Sequence, residues 1–238
     1  MKNNPLIIAL DVDTVEEAGK LADALMQHVG AFKVGMQLFN SAGPTVIRFL
    51  NEKKVPVFID LKLHDIPNTV AGATRVLTSH GVGIINIHAA GGQEMMRAAA
   101  AAVREEAERL NLPRPLLVAV TILTSIDQEV FSNQIGFPGT IKERVTAWAL
   151  MAQDAGLDGV VASPREIAPI RAACGGEFVI ITPGVRPAGS AVNDQKRVMT
   201  PAEAIGQGAT YLVIGRPVTG APDPAQAARD ILDSITAD

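Results

Sequence analysis

Three charged residues, Asp60, Lys62 and Asp65, fall within six positions at the end of the apolar run Val55-Pro56-Val57-Phe58-Ile59. Such a run reads as a buried strand, and charged side chains are almost never fully buried unless paired. Breaking a buried pair costs about 3–5 kcal/mol, so two carboxylates and an ammonium here need a common purpose. On a strand, positions 60 and 62 share a face, so the Asp60 and Lys62 side chains project together. An ammonium held in a dry site can stabilise negative charge as it develops and then protonate it. A structural ion network at a strand end is the competing reading of the same residues.

The elements that must position these groups are eight short apolar runs, at residues 6–12, 31–36, 55–61, 83–88, 116–122, 159–163, 178–182 and 211–215. They lack the polar alternation of a one-sided sheet, as expected for parallel strands covered on both faces. Helical stretches lie between them. Thr14-Val15-Glu16-Glu17 and Thr200-Pro201-Ala202-Glu203 have capping-box spacing, and Asp223-Pro224 opens a last helix. Residues 98–110, rich in alanine and glutamate, form a helix by propensity alone, and Gly156 suits a helix C-terminus. Eight strands alternating with helices predict an α/β fold, a (β/α)8 TIM barrel forming one domain over residues 1–238. An open doubly wound sheet is the alternative. No linker or composition break marks a second domain.

In a barrel, the C-terminal strand ends face the active-site mouth. Here those ends carry Asp11, Lys33, Asp60 with Lys62, His88, Thr121, Ser163, Pro183 with Gly184, and Gly215 with Arg216. Lys33 beside Asp60 and Lys62 makes an alternating array in which each charge is neutralised by a neighbour. Basic residues gather late in the chain: Arg186, Lys196, Arg197 and Arg216. The loops after strands 7 and 8 are the usual phosphate site of this architecture, and Gly215 lets an anion approach the backbone closely. Residues 186–198 are long for a βα loop, and loops of that length in a compact domain are usually functional or mobile. The implied ligand is a small phosphorylated molecule.

Composition narrows the field. The 238 residues are 47% apolar, enough for a large core, and the net charge of −4 argues against a nucleic-acid surface. No run approaches the roughly 18 apolar residues of a membrane span, and the N-terminus lacks the features of a signal peptide. Cys174 is the one cysteine, which leaves no internal disulfide and no cysteine cluster for a metal. A cytoplasmic protein without membrane partners is expected. His64 and His88 read as hydrogen-bonded structural residues, His28 and His80 as helix-end residues, and Cys174 as inert.

"DLKLHDIPNT" carries a D-x-K-x-x-D pattern that resembles the orotidine 5′-phosphate decarboxylase family. "ALDV", "FKVGMQLF", "ITPGVRP", "DQKR" and "VIGRPV" resemble further segments of that family, in order along nearly the whole chain. The resemblance implies decarboxylation of orotidine 5′-monophosphate to UMP, the last step of de novo UMP synthesis, with no cofactor and no metal. It implies that Lys62 is the proton donor beside Asp60 and that Asp11 and Lys33 contact the ribose. It further implies a homodimer in which Asp65 reaches into the partner's site, with Ile66 and Thr69 in the same binding segment. Thr121 and Thr124 would touch the substrate from strand 5, Thr124 nearest the pyrimidine. Pro183, Arg186, Gln195, Gly215 and Arg216 would handle the base edge and the phosphate, and the resemblance implies that residues 186–198 are a loop that closes over the phosphate.

Two other functions share this framework. Relatives acting on 3-keto-gulonate 6-phosphate or hexulose 6-phosphate use Mg²⁺, and they imply an acidic ligand where this sequence has Lys33. A non-catalytic phosphate-binding protein would keep the arginines, but it has no need of a carboxylate near an anionic ligand.

Overall fold

A computed structural model describes residues 4–186 and 199–236. Its strands are β1 (Leu6–Ala9), β2 (Ala31–Gly35), β3 (Val57–Leu63), β4 (Ile84–His88), β5 (Leu116–Val120), β6 (Gly159–Val161), β7 (Val179–Pro183) and β8 (Tyr211–Ile214). Each pairs in parallel with its neighbours in sequence, and β8 closes on β1. The closed barrel removes every sheet edge and rules out the open doubly wound alternative. The helices are α1 (Val15–Leu25), α2 (Met36–Ala42), α3 (Thr45–Glu52), α4 (Pro67–Ser79), α5 (Gly92–Leu110), α6 (Ile141–Asp154), α7 (Ile167–Cys174), α8 (Pro201–Gly206), α9 (Arg216–Thr219) and α10 (Pro224–Thr236).

Strand alternation divides the core in two. Leu6, Ile8, Val57, Ile59, Ile85 and Ile87 face outward and pack against the helices. Ile7, Phe58, Ile84, Val118, Ile181 and Val213 face inward and fill the barrel. The inward set is an apolar floor beneath the mouth.

Helix starts follow the local chemistry. Thr14, Thr140 and Thr200 each accept from the backbone N–H of a glutamate three residues on, and each glutamate reaches back, closing capping boxes on α1, α6 and α8. Strand limits differ from the sequence expectation at β1, which ends at Ala9 rather than residue 12, and at β3, which spans 57–63 rather than 55–61. Pro56 has no N–H for the ladder, which delays the start of β3. Past Ile59, β3 gains two residues on β4, since Ile59 pairs Ile85 but Leu63 pairs Ile87. That slip carries the strand two residues further and places Lys62 in it.

Glu166 shows how burial acts on a carboxyl just past the end of β6. The residue is 8% exposed, and its Oε2 accepts from the Ser163 N–H at 2.9 Å. Burial pushes its carboxyl up to about 7, despite the opposing pull of that bond and of Arg165. The folded state thus holds this proton more tightly than the unfolded chain does, and stability falls as pH rises from about 4.5 to about 7. Glu166→Gln keeps an acceptor for Ser163 and removes the titration. Its stability advantage over the parent in urea unfolding should be larger at pH 8 than at pH 5, by up to roughly 3 kcal/mol.

Candidate active site

The first three strands build a continuous row of charges. Lys33 Nζ lies 3.2 Å from Asp11 Oδ1 and 3.3 Å from Asp60 Oδ2, and Lys62 Nζ lies 2.7 Å from Asp60 Oδ1. Register brings them together: Ala9 pairs with Lys33, and Gly35 with Asp60. Lys33, on the inward face of β2 with Ala31, is nearly buried, while the Asp11 side chain is more than half exposed. Two anions and two cations alternate along the row, with Lys33 and Asp60 at its centre the least exposed.

Asp60 is the pivot of this row. Burial pushes its carboxyl up, but Lys33, Lys62 and the hydrogen bonds from Lys62 and Asn86 together outweigh burial and hold it below the usual range. The carboxylate therefore stays ionised deep in the mouth. Gly35 leaves room for its partner: a Cβ there would stand 3.0 Å from Lys33 Nζ. Any larger side chain would press on the ammonium.

Lys62 has an unusual backbone. Its φ is +53°, a left-handed conformation uncommon outside glycine, at a strain of about 1–3 kcal/mol. Its N–H donates to Asn86 Oδ1 at 2.8 Å, and Asn86 Nδ2 donates to Asp60 Oδ1 at 2.6 Å. Asn86 is fully buried on β4.

Above the floor lies a cavity of about 260 Å³, lined by Lys33, Asp60 and Lys62, by Phe58, Val161 and Val213, and by Thr124, Ser125 and Pro183. Apolar walls around charged groups lower the local dielectric and strengthen each interaction inside. A wider groove of about 470 Å³ between α8 and α10, bordered by Thr200, Asp230 and Ser234, lies apart from these charges.

The remaining predicted residues fall in several places. Thr124 lines the cavity, but Thr121 does not: it is fully buried, and its hydroxyl donates to the Val161 carbonyl at 3.1 Å, tying β5 to β6. A threonine one position past a strand end is as well placed to bond the next strand as to face the mouth. Asp65, Ile66 and Thr69 are exposed at the start of α4, and no ion pair joins Asp65 to Lys62 among the described residues. Gly215 follows β8, close to Asp11: a Cβ there would be 3.9 Å from Asp11 Oδ2. Arg216 is exposed at the first turn of α9. The Arg186 N–H donates to the Met199 carbonyl at 3.1 Å, joining the two chain ends that flank residues 187–198. Gln195, Lys196 and Arg197 lie outside the described residues.

His64 and His88 stack with centroids 5.4 Å apart, and His88 meets the edge of Trp148. Burial, with positive neighbours, holds the His88 ring below its usual range, and its Nδ1 accepts from the Ala90 N–H. Neither lines the cavity.

Sequence reasoning missed Asn86 and Gly35. Asn86 had a visible signal, a lone amide inside the apolar run "GIINIHAA", where a buried polar side chain is expensive unless bonded. Gly35 had none, since its importance depends on where the Lys33 side chain ends.

Residues 4–231 match the Orotidine 5'-phosphate decarboxylase / HUMPS family. The chain is 59% identical over 230 residues to the orotidine 5'-phosphate decarboxylase of Moorella thermoacetica, covering 97% of this chain and 91% of that one. It is 52% identical to the orotidine 5'-phosphate decarboxylase of Heliobacterium modesticaldum, covering 97% and 95%. The crystal structure of orotidine 5'-phosphate decarboxylase from Lactobacillus acidophilus superposes with a TM-score of 0.88 at 36% identity, covering 98% and 100% of the two chains. With the barrel, the charged row and these likenesses together, the chain belongs to the orotidine 5'-phosphate decarboxylase / HUMPS family.

Proposed function

We propose that Lys62 is the proton donor of a metal-free decarboxylation, and that Asp60 and Lys33 hold its ammonium in place. The observation that carries this reading is the 2.7 Å contact between Lys62 Nζ and Asp60 Oδ1 above an apolar floor. The chain converts orotidine 5′-monophosphate to UMP with release of CO2, in pyrimidine biosynthesis. As the bond from C6 to the carboxylate carbon breaks, its electron pair stays on C6, where no adjacent group accepts it. The Lys62 ammonium stabilises that charge and transfers its proton to C6, and the amine regains a proton from water. Asp60 holds the ammonium close, and it repels the substrate carboxylate that is about to leave.

Other groups bind the remote parts of the substrate. Asp11 and Lys33 contact the ribose, Thr124 and Pro183 the base, and Arg186, Gly215 and Arg216 the phosphate. Binding energy from the phosphate positions the reacting carbon. Gln195, outside the described residues, is assigned to the phosphate end by the family pattern. A cofactor-free reaction is supported by Lys33, whose ammonium stands between Asp11 and Asp60, where a divalent cation would meet its charge.

The assembly is a homodimer in which Asp65, Ile66 and Thr69 enter the partner's site. Supporting this, Ile66 is 67% exposed at the N-cap of α4, a large apolar side chain left to solvent beside Asp65. No helix among the described residues is long and apolar enough to cross a membrane. The cytoplasm is the proposed location.

Two measurements test this reading. The orotate absorbance of orotidine 5′-monophosphate should decay with purified protein in excess EDTA, and Lys62→Ala should fold yet slow the decay on the order of 10³-fold or more. Substantial turnover by that variant overturns the donor role, and loss of parental activity in EDTA overturns the metal-free one. Lys62→Ala mixed with Asp65→Asn after joint refolding should regain roughly a quarter of parental activity, because half the dimers are mixed and one site in each is intact. No recovery would place Asp65 in its own chain's site.

A further inference from the structure

The slip between β3 and β4 leaves a specific problem at Lys62. Between the Ile59–Ile85 and Leu63–Ile87 pairs, two residues of β3 have no counterpart on β4. A backbone N–H in such a stretch loses its ladder partner, and an unpaired buried donor is costly. At Lys62 the side chain of Asn86 takes the place of the missing strand carbonyl, accepting at 2.8 Å.

The same amide also grips Asp60. Its Nδ2 donates to Asp60 Oδ1 at 2.6 Å, and that oxygen accepts from Lys62 Nζ at 2.7 Å. The bonds close a ring: Lys62 backbone to Asn86, Asn86 to Asp60, Asp60 to the Lys62 ammonium. The amide's orientation is dictated, because the backbone N–H can only donate and the carboxylate can only accept. A buried leucine would suit the apolar packing of β4 but would leave the Lys62 N–H without this acceptor and Asp60 without this donor, so the amide answers to the ring and not to the strand's apolar surroundings.

We propose that Asn86 is a positioning residue for the decarboxylation: it holds the left-handed backbone at Lys62 and the orientation of Asp60, so that the ammonium is aimed before substrate enters. This rests on the donor role of Lys62. Asn86 lies beneath the reacting groups and is absent from the cavity lining, so it contributes to turnover rather than to ground-state binding.

The test separates kcat from KM in two variants, with Lys62→Ala assayed alongside. Asn86→Leu should lower kcat roughly 100-fold, as expected for misplacing a reacting group by about 1 Å, while KM and UMP affinity stay within about threefold. Asn86→Asp keeps an acceptor for the Lys62 N–H but sets a second carboxylate against Asp60. The charged groups facing that position are Asp60 and Lys62 on β3, with Lys33 behind Asp60 on β2 and His88 further along β4; β5 presents Val118. Two carboxylates this close share a proton, and the protonated form mimics the amide. The Asn86→Asp variant should therefore turn over best at acid pH and lose kcat as pH rises, in a falling limb additional to any that the parent's own proton donor produces.

Parental kcat in folded Asn86→Leu, with Lys62→Ala inactive, overturns this proposal and leaves the donor role standing. Turnover by Lys62→Ala overturns the donor role instead. If Asn86→Leu does not fold, an Asn86→Asp profile parallel to the parent's is enough to overturn the positioning role.

Discussion

The mouth of this barrel is organised around one buried carboxylate that must stay ionised. Removing Asp60 from water disfavours its charge, and only the two ammonium groups and the two hydrogen bonds around it reverse the balance. Lys33 needs a second anion of its own, which Asp11 supplies from just past the end of β1. The charges therefore come from three consecutive strands, where parallel register sets the ends side by side. Each member depends on the others, because taking any one away leaves an uncompensated charge in an apolar site.

The barrel separates stability from chemistry. The outward faces of the strands and the helices over them form the larger apolar core, while the inward faces supply an apolar floor beneath the charged row. At Lys62 the slipped register, a positive φ and the amide of Asn86 meet. A conformation of this kind persists only when its surroundings over-determine it. The ring of hydrogen bonds through Asn86 and Asp60 does so, and it links backbone geometry to the position of the ammonium.

Much of the fold was legible because its signals are local. The apolar runs, the capping boxes at Thr14 and Thr200, and the proline after Thr200 each depend on residues within a few positions. The charged row was legible for a related reason, since Asp60 and Lys62 share a strand face by period alone. Thr121 shows the limit. Its side chain met the carbonyl of Val161, forty positions away, instead of the cavity. The residues at the start of α4 show another: Asp65, Ile66 and Thr69 stand exposed and outside the cavity lining.

By itself the sequence determined the eight-strand alternation, the buried faces and the charged residues at the strand ends, since these follow from periodicity and from where a charge interrupts an apolar run. Only the tertiary structure decided that β3 slips past β4, that Lys62 adopts a left-handed backbone, and that Asn86 bonds residues 24 and 26 positions away. Strand register is a relation between chains of residues brought together by folding, and no pattern along a single strand contains it.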